Sequence, residues 1–245
     1  MLKLLDSLRL PRGCATAVRE ITASEGAAFP AEERLIRRAV AARRAEFRAG
    51  RAAARDALAR LGCAPQAIPA YAERDPIWPR GFVGSITHCG PMAVAIAARA
   101  QSQHSVGIDL EQDSALEARL IASVCRPDEI RPSGEIDHRI DQAKLRLVAK
   151  EAVYKALFPL RRAMLGFHRV RVTFAPADGS FSAFRCDAPD DRSPGASPVR
   201  IAGTGCFRHR PPWLLCVFVM PGTARAYITA PASAYPYFKR PFSVV

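Results

Sequence analysis

The fold class is decided by residues 82–111, which read FVGSITHCGPMAVAIAARAQSQHSVGIDLE. Side chains here alternate with a period of two, which is the pattern of β-strands, and Cys89-Gly90-Pro91 interrupts the pattern as a turn does. The predicted strands are 82–88, 105–111 and, as a strand or a buried segment, 92–99.

Helical spacing takes over on both sides of this stretch. Apolar residues from Leu35 to Phe47 predict a helix over 31–49, with Gly50 breaking or kinking the run before a second helix that ends near Gly62. Further segments are a connector at 65–81, helices at 114–126 and 137–158 (a break at 131–134 between them, Pro159 after them), strands at 170–174, 181–186, 199–207, 213–220 and 224–230, and an exposed loop at 187–198. Helices and strands in both halves predict an α+β protein.

Length and composition exclude several classes. The 245 residues are 49% hydrophobic, and at about 150 residues per domain they allow one large domain or two smaller halves. The longest apolar runs are far shorter than the roughly 20 residues of a membrane helix, and charged residues interrupt the N-terminal leucines. Seven scattered cysteines without a CxxC pair argue against a disulfide framework or a structural zinc site. We expect a soluble cytoplasmic protein.

The charge is strongly positive and locally concentrated. The net charge is +13, and residues 34–60 contain nine arginines against two acidic residues. Such a field attracts a polyanion, which leaves nucleic acid, an anionic membrane, a phosphorylated metabolite and an acidic protein as candidates. Only five of the 36 basic residues are lysines, so Lys150 and Lys155 indicate positions where a compact ammonium is preferred to a guanidinium.

Two acidic residues end the strand predicted at 105–111. Asp109 and Glu111 lie two residues apart and therefore point to the same side of the strand. Neighbouring carboxylates repel each other unless a cation lies between them, and Mg²⁺ is commonly held by one or two carboxylates together with substrate phosphates. The alternative is that the pair only marks a strand end or caps the helix that begins near Ser114.

A third carboxylate lies on the helix predicted at 137–158. Glu151 and Lys155 are four residues apart and share a helix face. Glu151 also falls on a predicted apolar stripe with Leu147, Tyr154 and Phe158, where a carboxylate is costly unless a cation meets it. A third metal ligand or a general base would fit there, and a solvated Glu–Lys pair is the alternative.

His88 ends the strand predicted at 82–88. It follows a Gly-Ser step and precedes a turn, a setting from which it could donate to a phosphate, although a structural histidine fits the same position. The chain contains no GxGxxG, Walker A or nucleophile-elbow sequence.

In their order along the chain and in their residue identities, these segments resemble the 4′-phosphopantetheinyl transferases of the surfactin and enterobactin synthetase type. The matching residues are RRAEF (43–47), GR (50–51), WP (78–79), VGSITHC (83–89), VGIDLE (106–111) and AKEAVYKALFP (149–159). The resemblance implies a pseudo-twofold α+β fold of two similar subdomains, 1–104 and 105–245, with the active site at their interface. It also implies transfer of phosphopantetheine from coenzyme A to a serine of an acidic acyl or peptidyl carrier protein, with release of adenosine 3′,5′-bisphosphate.

The resemblance assigns a role to each matching residue. Asp109, Glu111 and Glu151 resemble the ligands of Mg²⁺, or of Mn²⁺ in its place, and Glu151 resembles the base for the serine hydroxyl. The residues that resemble coenzyme A contacts are Lys155 and His88 at the pyrophosphate, Ser85 and Thr87 beside them, and Arg43, Arg51 and Arg74 at the nucleotide.

The chain departs from the family pattern at one step. Leu147 and Val148 replace the aromatic residue and the Ser, Thr or Cys that usually precede the KE pair.

Two other functions stay open, namely a metal-dependent nuclease and a non-catalytic nucleic-acid-binding protein. The latter would need aromatic residues among the arginines, and residues 34–60 contain only Phe47. We expect a monomer that acts without nucleic acid or membrane; the sequence does not indicate which carrier protein is the substrate.

Overall fold

Helices and strands occur in both halves of the chain, in a computed structural model that describes residues 1–23, 29–130, 137, 139–163, 165–186 and 198–222. The helices are α1 (Leu2–Asp6), α2 (Pro30–Ile36), α3 (Ala41–Arg60), α4 (Ala118–Val124) and α5 (Gln142–Arg161), with a 3₁₀ turn at Phe167–Arg169. The strands are β1 (Cys14–Glu20), β2 (Phe82–Cys89), β3 (Met92–Arg99), β4 (Gln103–Gln112), β5 (Val170–Ala175), β6 (Ser180–Arg185), β7 (Val199–Arg200), β8 (Thr204–Arg210) and β9 (Trp213–Pro221). This confirms the α+β class. No helix in these ranges is long and apolar enough to cross a membrane.

The strands form two antiparallel sheets. The first has the order β1-β3-β2 and the second the order β4-β9-β8-β6-β5, with β7 beside β6. The sheets meet where β2 and β4 run side by side, and side-chain hydroxyls bridge them. Ser85 Oγ accepts from the Ile108 amide at 3.2 Å, and Thr87 Oγ1 accepts from the Leu110 amide at 3.4 Å. The contact two residues further along β2 is also two residues further along β4, so the two strands are parallel.

Each long helix packs on one sheet through small residues. On α3, Ala53 and Ala57 are fully buried, as are Ala95 and Ala97 of β3 in the same cluster. On the second sheet, α5 lies so close to β4 that a Cβ built at Gly107 would be 1.9 Å from the Ala152 carbonyl oxygen. Only glycine permits this approach, which fixes the distance between α5 and the acidic end of β4.

The structure corrects the predicted helix boundaries. The predicted helix 31–49 is divided, because the chain is not helical between Ile36 and Ala41, whereas Gly50 lies buried inside the continuous helix α3. A Cβ on Gly50 would be 3.0 Å from Ile86 Cγ2, so this glycine permits packing and does not break the helix. Pro159 does not close α5. It is exposed within the last turn, and the helix continues to Arg161.

The strand predictions are confirmed with two changes. The predicted strand 199–207 is two strands, β7 and β8, and β1 was not predicted, because Cys14-Ala-Thr-Ala-Val has little apolar alternation. The end of α3 near Gly62 is confirmed by its left-handed φ of +78°. The predicted break at 131–134, the strand at 224–230 and all but the last residue of the loop at 187–198 lie outside the described residues.

Candidate active site

Asp109 lies at the junction of the two sheets and α5. It is buried, at 5% exposure, on the face of β4 that Gly107 turns toward α5. Its Oδ1 is 2.6 Å from Lys155 Nζ and accepts a hydrogen bond from Thr87 Oγ1 at 3.1 Å. β2, β4 and α5 therefore each contribute one polar side chain to a single point.

Glu111 and Glu151 belong to the same cluster. Glu111 Oε2 is 3.6 Å from Lys144 Nζ on the first turn of α5. Burial, together with the charge of Asp109, raises the pKa of Glu111. Burial, with the charges of Asp109 and Glu111, also raises the pKa of Glu151 to about 7, against the opposing charge of Lys155. A pKa in this range suits a group that gives and takes a proton near neutral pH.

Lysines of α5 balance these carboxylates. Burial alone would lower the pKa of Lys155, but the charges of Asp109 and Glu151 raise it above its ordinary value, so its ammonium is charged. Lys144, Glu151 and Lys155 lie at i, i+7 and i+11 on one face of α5. Lys144 was missed in the sequence, although this spacing and the scarcity of lysine could have identified it.

The chemistry of the donor set fits a hard divalent cation. Asp109, Glu111 and Glu151 are electrostatically coupled carboxylates, and carboxylate oxygens are ligands that Mg²⁺ prefers. Within the described ranges, however, no three His, Cys, Asp or Glu side chains are arranged as a ready metal cluster, and the Lys155 ammonium contacts Asp109 directly. The metal-ligand role of Asp109, Glu111 and Glu151 stays a prediction.

His88 and Arg43 form a second part of the site. Arg43 Nη1 is 3.0 Å from His88 Nε2, and Glu46 contacts both residues, at 3.1 and 3.7 Å. Burial and the positive charges of Arg43 and Lys155 lower the pKa of His88. The imidazole is therefore neutral at neutral pH, with Nε2 facing the guanidinium. The electrostatic interaction between His88 and Lys155 joins this group to the carboxylate cluster.

The other predicted nucleotide contacts lie in different settings. Arg51 is 5% exposed, donates from Nε to the Ile68 carbonyl at 2.7 Å and lies over the Phe47 ring at 4.5 Å. Burial lowers its pKa to about 10. Arg74 is exposed in a turn with φ +72° and has no contact with the carboxylate cluster.

Ser85 and Thr87 are buried, and their hydroxyls join β2 to β4. The structure thus gives these two hydroxyls partners inside the protein. Their predicted contact with coenzyme A, like the roles predicted for Arg43, Arg51, Arg74 and His88, stays a prediction.

The predicted apolar stripe of α5 is wrong. The fully buried side chains of α5 include Leu145, Val148, Ala149, Ala152 and Ala156, whereas Leu147, Glu151, Tyr154 and Phe158 lie along the boundary of the buried face. Glu151 is thus set at the rim of the core, where it meets the carboxylates of β4.

Lys150 points to a different side of α5 and was missed as a structural residue. It is 1% exposed, and its ammonium donates to Glu129 Oε2 at 2.5 Å and to the carbonyls of Val124 and Phe167 at 2.9 and 3.2 Å. Glu129 also accepts from the Val172 amide at 3.0 Å. Lys150 therefore fixes α5 to α4, the 3₁₀ turn and β5.

Comparison with known proteins agrees with this arrangement. A family model described as the 4′-phosphopantetheinyl transferase N-terminal domain matches residues 31–98, and a model of the 4′-phosphopantetheinyl transferase superfamily matches residues 105–196. The 4′-phosphopantetheinyl transferase Npt of Nocardia iowensis is 40% identical over 171 residues, which are 70% of this chain and 77% of the relative. The chain belongs to the 4′-phosphopantetheinyl transferase family, and is an enzyme of that type.

Other relatives match shorter segments. The 4′-phosphopantetheinyl transferase PptT of Mycobacterium tuberculosis is 38% identical over 150 residues, which are 60% of this chain and 65% of the relative. Enterobactin synthase component D of Escherichia coli is 34% identical over 118 residues, 46% of this chain and 54% of the relative. With these two relatives the chain shares less than two thirds of the relative's length.

Proposed function

We propose that the protein transfers the 4′-phosphopantetheine group of coenzyme A to a serine hydroxyl of an apo acyl or peptidyl carrier protein. The serine oxygen forms a bond to the phosphorus of phosphopantetheine, the diphosphate P–O bond breaks, and adenosine 3′,5′-bisphosphate leaves. The observation that supports this best is the convergence of Asp109, Glu111, Glu151 and Lys155 between β4 and α5.

The residues of this site can carry the proton and the charges of the reaction. A Mg²⁺ ion held by Asp109, Glu111 and Glu151 would neutralise charge on the diphosphate. Glu151, a buried carboxylate beside Asp109 and Glu111, accepts the proton of the serine hydroxyl. The Lys155 ammonium offsets negative charge that grows on the leaving phosphate.

The nucleotide side of coenzyme A is assigned to the first half of the chain. We place the 3′-phosphate near Arg43 and Arg51, which lie eight residues apart on α3 and interact electrostatically. Arg43 touches His88, so an anion bound there borders the carboxylate cluster. Arg74 is a further candidate for the nucleotide.

The division into subdomains 1–104 and 105–245 related by a pseudo-twofold is part of the proposal. It is supported by the architecture of each half, an antiparallel sheet with a single 20-residue helix packed on it, α3 in the first and α5 in the second. The site residues come from both halves at the β2–β4 border.

An acidic carrier protein would suit the +13 charge of the chain. A cytoplasmic location and a monomeric state stay predictions.

The experiment is mass spectrometry of an intact apo carrier protein after incubation with the protein, coenzyme A and Mg²⁺. We expect the carrier to gain the mass of one phosphopantetheine group, and a carrier whose serine is changed to alanine to gain nothing. Fatty-acid, polyketide and peptide carriers tested side by side identify the substrate class. Cleavage of an added oligonucleotide without modification of any carrier would favour the nuclease alternative.

A further inference from the structure

The C-terminal end of α5 has an unusual backbone conformation. Arg162, the residue that caps the helix, has φ +52° and ψ +24°, in the left-handed region. Helices often end on glycine in this conformation, and another residue there costs about 1–2 kcal/mol. In the described residues only Arg74 shares a positive φ with Arg162 among non-glycine residues. A side chain kept at such a position indicates a compensating contact.

Arg162 makes that contact with the turn 71–75, which belongs to the other half of the chain. Its Nη1 is 2.8 Å from Asp75 Oδ2, and its guanidinium lies 4.2 Å from the centre of the Tyr71 ring. The turn is closed by a bond from the Tyr71 amide to the Asp75 carbonyl at 3.0 Å and by one from the Arg74 amide to the Tyr71 carbonyl at 2.9 Å. Arg162 therefore holds both ends of the turn that carries Arg74.

The turn is set against the same face of α5 as the active site. Glu151 and Phe158 are seven residues apart and therefore lie on one side of α5, and the Arg162 guanidinium lies 5.9 Å from the centre of the Phe158 ring. At 1.5 Å per residue, Arg162 lies about 10 Å beyond Lys155. Burial and the charges of Glu151 and Asp75 raise the pKa of Tyr154 to about 12, as expected if the turn approaches this face closely.

We infer that Arg162 is a positioning residue that holds the turn 71–75 at a fixed distance from Lys155, so that the nucleotide and the diphosphate of one coenzyme A molecule fit both sites together. This inference rests on the proposed function. Without the Arg162 side chain the turn occupies this position for only a fraction of the time, and the apparent affinity for coenzyme A falls by that fraction.

The test is Arg162→Gly, because glycine prefers the left-handed backbone and leaves the helix end intact while it removes both contacts. We expect the KM and the Kd for coenzyme A to rise about fivefold, from the loss of a partly exposed ion pair and a cation–π contact. The kcat stays within about twofold, because the carboxylate cluster is unchanged. Arg162→Lys, which keeps the charge without the planar stacking group, gives a smaller rise.

Two comparisons separate positioning from a general structural role. Asp75→Asn should raise the same two constants, and the double variant with Arg162→Gly should be no worse than the larger single effect. Arg119→Ala, which breaks an exposed 2.6 Å ion pair to Glu117 near α4, is the matched control and should change neither constant.

The outcomes are distinguishable. A folded Arg162→Gly protein with the wild-type Kd for coenzyme A overturns the inference, as does a parallel loss of kcat and of thermal stability. A wild-type protein that binds coenzyme A in calorimetry but modifies no carrier refutes the proposed function, while the Kd comparison still tests Arg162.

Discussion

Gly107→Ala is the substitution for which the structure gives the clearest magnitude. The added Cβ would lie 1.9 Å from the Ala152 carbonyl oxygen and 2.7 Å from the Ala156 nitrogen, both of them backbone atoms of α5 that cannot rotate away. Ordinary carbon–oxygen contacts begin near 3.3 Å. The helix must therefore shift from β4 by about 1 Å or more.

Such a shift has two measurable consequences. Overpacking of this kind costs about 1–3 kcal/mol of unfolding free energy, or about 2–4 °C in Tm per kcal/mol for a chain of this size. Misplacement of reacting groups by about 1 Å lowers turnover about 100-fold, because Glu151 and Lys155 move with α5 while Asp109 and Glu111 stay on β4.

The assay combines thermal unfolding with the rate of carrier modification at saturating coenzyme A. Gly166→Ala is the matched control, since its φ is −63° and a Cβ there meets nothing within 4 Å. It should keep both Tm and turnover. If Gly107→Ala had the turnover of the control, the claim that close approach of α5 builds the site would be refuted.

Three further predictions concern charged groups. Lys155→Arg should lower kcat far more than it raises KM, because a planar guanidinium replaces the compact ammonium beside Asp109. Near-normal turnover with one carrier protein would show that Lys155 serves only as an ion-pair partner of Glu151. Lys150→Met should cost about 3–5 kcal/mol in urea unfolding, because it leaves Glu129 buried without its cation, and an unchanged urea midpoint would contradict this. In EDTA, the stability that Glu151 contributes is present below its unfolded pKa of 4.5 and is lost as pH rises through about 7. Wild-type Tm should therefore fall from pH 5 to pH 8 more than that of Glu151→Gln, and equal slopes would contradict the raised pKa.

The sequence predicted which polar side chains lie together better than it predicted their surroundings. The spacing of Asp109 and Glu111 on a strand, and of Glu151 and Lys155 on a helix, was enough to predict two pairs that the structure brings together. The buried face of α5 was misassigned, because that face is built largely from alanines such as Ala149, Ala152 and Ala156. Alanine contributes little to an apolar pattern, yet only small residues allow the helix to approach Gly107.

Contacts between distant segments could not be predicted from spacing. The ion pair between Lys150 and Glu129 joins α5 to the segment that connects it with α4, and the pair between Arg162 and Asp75 spans both halves of the chain. Gly50 shows the same limit, because its role depends on the nearness of Ile86 and not on the residues beside it. Local periodicity contains no information about these partners.

The role of Glu151 as metal ligand and base is tested most sharply by the rate of carrier modification across a Mg²⁺ titration, measured for wild-type protein and for Glu151→Gln. Removal of one of three mutually repelling carboxylates should leave the metal-free protein folded, so a loss of activity reports on chemistry. We expect that the wild-type rate depends on Mg²⁺ and that Glu151→Gln modifies no carrier even at saturating Mg²⁺. Full activity of Glu151→Gln under those conditions would contradict the role of Glu151 as ligand and base.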